Sequence, residues 1–89
     1  MDLNDNNYGK PVLLTATGTV KDVGGRIVGF YVNSTTSGTL VLRDGGASGE
    51  ALSGTITPAV GWHEWRGSFA TDLHATIGGT ALNVTFFVN

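Results

Sequence analysis

Apolar and polar positions alternate along much of this chain with the two-residue period of strands, and nowhere with helical spacing. The cleanest run is Thr80 to Val88, where Leu82, Val84, Phe86 and Val88 face one way and Asn83, Thr85 and Phe87 the other. Glycine pairs at Gly24-Gly25, Gly45-Gly46 and Gly78-Gly79 punctuate the pattern as turns. A first strand is predicted at Val12-Leu13-Leu14, with room to continue through Thr15 to Val20, following Pro11, whose missing N–H does least harm at a strand start. A second runs from Arg26 to Asn33 with Val28, Phe30 and Val32 on one face and Ile27, Gly29 and Tyr31 on the other. Apolar groups on both faces place it centrally.

The polar stretch from Asn33 to Gly38 reads as a loop. A third strand spans Thr39 to Arg43, and Asp44-Gly45-Gly46 turns the chain. A weaker fourth strand, Ala51 to Thr57, is interrupted by Gly54 and stopped by Pro58. Trp62 to Ala70, Leu73 to Ile77 and Thr80 to Val88 complete about seven strands. Turn signals every eight to twelve residues point to an antiparallel sandwich or a small barrel. The expectation is a single small all-β domain, a jelly-roll-like antiparallel β-sandwich over residues 11–89. Residues 1–10, polar and without periodicity, form an extended N-terminal arm ahead of it. The predicted core is Val28, Phe30, Val32, Leu40, Leu42, Val84 and Phe86.

At 89 residues such a domain has one modest core, and with no cysteine it has no disulfide to reinforce it. Association with other chains is then a natural source of stability. Charged residues make up only 13% and the net charge is −2, with the five cations scattered. A nucleic-acid partner requires clustered positive charge, so none is expected. No apolar run approaches the ~20 residues that cross a bilayer, and no membrane partner is expected. Met1 to Asn7 is acidic and polar, the reverse of a secretory leader, so synthesis in a cytoplasm is expected.

The chemistry of catalysis is thinly represented. Asp2, Asn4 and Asn6 open like a calcium-binding loop, but Asn7 and Leu13 stand where glycine and a bidentate Glu are required. His63 and His74 are the only imidazoles, and no third ligand accompanies either, so no metal and no cofactor are expected. No nucleophile elbow is present, and Ser48, His63 and Asp72 have no spacing that recommends them as a triad. Glu50, Glu64 and Asp72 supply carboxylates, yet a domain this small leaves little room for a sugar-cleaving cleft. The protein is expected not to be an enzyme. Its resource is surface: Trp62, Trp65, Phe86 and Phe87 crowd two strands, and an aromatic on an outer face marks a contact. Tyr31, Trp62, Trp65 and Phe87 are the candidate interface residues of the domain, with Asp2, Leu3 and Tyr8 in the arm.

Five segments stand out together: Gly25-Arg26-Ile27-Val28-Gly29-Phe30-Tyr31-Val32-Asn33, Gly38-Thr39-Leu40-Val41-Leu42-Arg43-Asp44, Ala47-Ser48-Gly49, Phe69 with Asp72-Leu73, and the closing Asn83-Val84-Thr85-Phe86-Phe87-Val88. In these strand and turn patterns the chain resembles small all-β phage virion proteins of the capsid decoration or cement type. The resemblance implies a non-enzymatic virion protein, often a homotrimer, that sits on the shell of the major capsid protein. In a protein of that kind the arm, residues 1–10, would be expected to lie across capsid subunits. Two other readings suit the same surface: a carbohydrate-binding or adhesin-like module of a fibre or tail, and a head-completion or tail component.

Overall fold

The computed structural model describes residues 9–89; the predicted arm residues Asp2, Leu3 and Tyr8 lie outside them. Eight strands follow one another: β1 (Lys10–Leu14), β2 (Gly18–Lys21), β3 (Gly25–Thr36), β4 (Thr39–Asp44), β5 (Glu50–Ala51), β6 (Gly61–Phe69), β7 (Leu73–Gly78) and β8 (Ala81–Val88). They form two four-stranded antiparallel sheets, a front sheet ordered β1-β8-β3-β6 and a back sheet ordered β2-β7-β4-β5. The first half of the chain thus pairs with the second in reverse order: β1 with β8, β2 with β7, β3 with β6 and β4 with β5. Contacts β3–β8 and β4–β7 roll that long hairpin into two layers. This is the strand order of an eight-stranded jelly roll, one strand more than the alternation gave but the two-layered antiparallel sandwich expected.

The inner faces of the sheets supply the core. Val20, Leu40, Leu42, Leu73 and Ala75 of the back sheet meet Ile27, Phe30, Val32, Phe69, Leu82, Val84, Phe86 and Val88 of the front sheet. Six of the seven predicted core residues are buried there; Val28 is not. Beside Val28 the register slips, with Ile27 opposite Val88 and Gly29 opposite Phe87. One extra residue on β3 flips the inward side, so Ile27 fills the core position and Val28 does not.

The first strand is found at Lys10–Leu14, but its continuation to Val20 breaks into a second strand in the other sheet. Leu14 ends β1 and Gly18 begins β2, and the corner between them is fixed by Thr17. Its Oγ1 accepts from the Ile77 N–H (2.9 Å) and donates to the Ile77 carbonyl (3.0 Å), replacing main-chain pairing at the bend. The predicted loop at Asn33–Gly38 is mostly strand instead. β3 continues to Thr36 against β8, and Asn33, Ser34 and Thr36 of this extension are exposed, which suits their polar side chains. Thr35 closes the turn, its Oγ1 accepting from Gly38 N–H at 3.1 Å. The predicted fourth strand shrinks to Glu50–Ala51. Ser53 Oγ accepts the Leu42 N–H (3.0 Å) where a strand carbonyl would have stood, and pairing resumes only at the Leu40–Ile56 bridge.

Candidate binding surface

Strand alternation sends Leu82, Val84, Phe86 and Val88 inward, and so turns Asn83, Thr85 and Phe87 to the outer face of the front sheet. Register aligns neighbours beside them. Thr85 sits between Leu13 of β1 and Tyr31 of β3, and Tyr31 lies opposite Trp62 of β6. Phe87 sits between Pro11 and Gly29, with Glu64 beyond. A four-strand platform results, roughly 14 Å across at ~4.8 Å per strand. Leu13, Trp62 and Tyr31 are 58%, 47% and 43% exposed on it.

Gly29 seats the tryptophan. A Cβ there would lie 2.5 Å from Trp62 Cη2 and 2.6 Å from the His63 carbonyl, so only glycine lets the indole rest on the sheet. Phe87 meets Trp62 edge-on, with ring centroids 5.6 Å apart and an interplanar angle of 67°. That geometry suits the ring quadrupoles and holds the indole in place. Beside the aromatics lies a polar patch: Asn33 Nδ2 donates to Asn83 Oδ1 and Thr85 Oγ1, both at 3.0 Å. Arg66 and Glu64, paired at 2.8 Å on β6, neutralise each other.

Three of the four candidate residues within the domain, Tyr31, Trp62 and Phe87, therefore share one outer face. Trp65 does not: it is half-buried and packs against the core, on the opposite side of β6 from Trp62. The sequence reading had missed Leu13, whose neighbours Val12 and Leu14 take the inward parity, and the Asn33–Asn83–Thr85 network, which joins residues fifty apart in sequence.

Neither imidazole belongs to this face, and His74 Nε2 is buried without a hydrogen-bond partner. His63 stacks on Phe30 at 5.2 Å, and its Nε2–H donates to the Ala59 carbonyl at 2.7 Å. His74 is buried on the back sheet across from Arg43. Asp72 uses its carboxylate on the Gly45 and Gly46 N–H groups. No three His, Cys, Asp or Glu residues converge as a metal site among the described residues. Backbone N–H groups of Ala70, then Thr71 and Asp72, hold the Asp44 carboxyl below the usual range, against a smaller upward push from burial.

No protein-family model, no curated protein and no solved structure matches this chain.

Proposed function

We propose that this protein is a bacteriophage capsid decoration protein, a non-enzymatic virion component that binds the major capsid protein shell and stabilises it. It is made in the host bacterial cytoplasm and works as a homotrimer on the shell. The observation that carries the reading is the outer face of the front sheet, where Trp62, Tyr31, Leu13 and Phe87 meet solvent around a glycine seat. Exposed aromatics on a nearly neutral sheet face are the chemistry of a protein contact, and tryptophan and tyrosine are among the residues that most often dominate one. The strand and turn segments that resemble decoration proteins support the same reading. So, by analogy of fold alone, does the jelly roll, an architecture that viral shells use.

The test is to mix the purified protein with shells of the major capsid protein of its own virion. Co-sedimentation and native mass spectrometry should show saturable binding and an assembled species. A strict monomer with no affinity for shells contradicts the proposal.

One observation favours a second reading, a carbohydrate-binding module. A fixed, half-exposed indole beside the Asn33–Asn83–Thr85 network offers a stacking surface and hydroxyl-matching groups together. Jelly rolls also serve as lectins. A shift of Trp62 fluorescence on adding glycans would favour it, and silence across a broad panel would remove it.

A further inference from the structure

Where the chain passes from β6 to β7 it crosses from the front sheet to the back sheet, and there it is tied to the β4–β5 hairpin by two reciprocal carboxylates. Asp44 Oδ2 accepts from the Ala70 N–H at 2.7 Å, and Oδ1 accepts from Thr71 and Asp72 at 2.9 and 3.2 Å. In return, Asp72 Oδ1 accepts from both Gly45 and Gly46, each at 2.9 Å. Gly45 and Gly46 have φ of +107° and +84°, conformations that suit glycine and turn consecutive N–H groups toward one oxygen. Each turn thus caps the other.

We propose that Asp44 and Asp72 form a proton-released clasp: protonation of Asp44 frees the β6–β7 crossover from the β4–β5 turn, opening this end of the sandwich while the core stays folded. This goes beyond the proposed function and does not depend on it. A carboxylate can accept from all three crossover N–H groups at once. A carboxylic acid carries a proton on one oxygen, which then faces donors instead of accepting from them, and the remaining bonds lose their charge assistance.

The groups around the clasp leave the backbone as its counterpart. On β4, Arg43 sends Nη1 to the Gly49 carbonyl at 3.3 Å. Glu50 of β5 is the register partner of Asp44, and His74 of β7 that of Arg43. The β2–β3 turn, with Lys21, Asp22 and Arg26 about it, abuts Ala70 through Gly24. Among the described residues the Glu64–Arg66 contact is the only ion pair, so no cation takes the place of the N–H groups at Asp44 or Asp72. The lowered Asp44 carboxyl agrees with a charge stabilised by these amides. By linkage, its contribution is complete above the carboxyl's unfolded value and is lost as pH falls through the lower folded value.

The test is residue-resolved hydrogen exchange of the full chain across acidic pH, corrected for intrinsic rates. Protection at Ala70, Thr71, Asp72, Gly45 and Gly46 should fall at least tenfold while amides of β3 and β8 remain protected. The side-chain carboxyl carbon of Asp44, followed by NMR in the same wild-type samples, should titrate with the same midpoint. In Asp44→Asn the crossover amides should exchange fast at neutral pH and lose this pH dependence. Protection that survives until core amides also exchange would overturn the clasp. So would a loss that follows the His74 ring in place of Asp44.

Discussion

The two sheets share one core but differ on their outer sides. Outward from the front sheet stand Leu13, Tyr31 and Trp62, exposed, and a half-buried Phe87. The back sheet turns Thr19, Val41, Arg43, His74 and Thr76 outward, with the Arg43–His74 pair closing over its middle. Both inner faces are apolar, Val, Leu and Ala from the back sheet against Ile, Val, Leu and Phe from the front. What separates the sheets is therefore what remains after folding is satisfied. Among the described residues the exposed aromatics, Tyr31 and Trp62, stand on the front sheet alone, which is why the proposed contact is placed there.

The contrast is broken most severely from within. Phe86→Ala removes a fully buried ring from between the sheets and should cost about 3–5 kcal/mol, seen as a lowered denaturation midpoint. On the front face, Trp62→Ala should change stability by only about 1 kcal/mol, because the indole is half-exposed, yet weaken shell binding by 2 kcal/mol or more, roughly thirtyfold. Equal losses of stability and binding would mean that the indole serves the fold. Gly29→Ala forces a Cβ against Trp62 and the His63 carbonyl and should cost about 1–3 kcal/mol, with the Trp62 emission shifted as the ring leaves its seat. Acid sharpens the comparison at the sandwich end. Asp44→Asn should flatten the stability profile at low pH, since the group whose folded value is depressed has been removed. Least of all, Glu64→Gln opens an exposed ion pair and should move the denaturation midpoint by no more than ~0.5 kcal/mol.

Much of this was legible in the residues because burial and strand period leave the same trace. β8 alternates without interruption, and every one of its even positions from Leu82 to Val88 is in the core. β3 was read one residue out of phase at its start, since a bulge at Val28 adds a residue that no composition rule announces. Thr17 and Ser53 end strands by substituting a hydroxyl for a main-chain group, and in the sequence they look like any other polar residue. The contact face was half legible. Trp62 and Trp65 lie on opposite sides of β6, but which side is outward depends on pairing with β3. The Asp44–Asp72 tie joins two turns that only folding brings together.

One measurement bears most directly on the front face as the contact surface: acrylamide quenching of Trp62 in a Trp65→Phe variant, free and bound to capsid shells. The free protein should be quenched readily, as its half-exposed indole requires, and shell binding should reduce that quenching severalfold. A Trp62 that stays as quenchable on saturated shells as in free solution would contradict the assignment of this face.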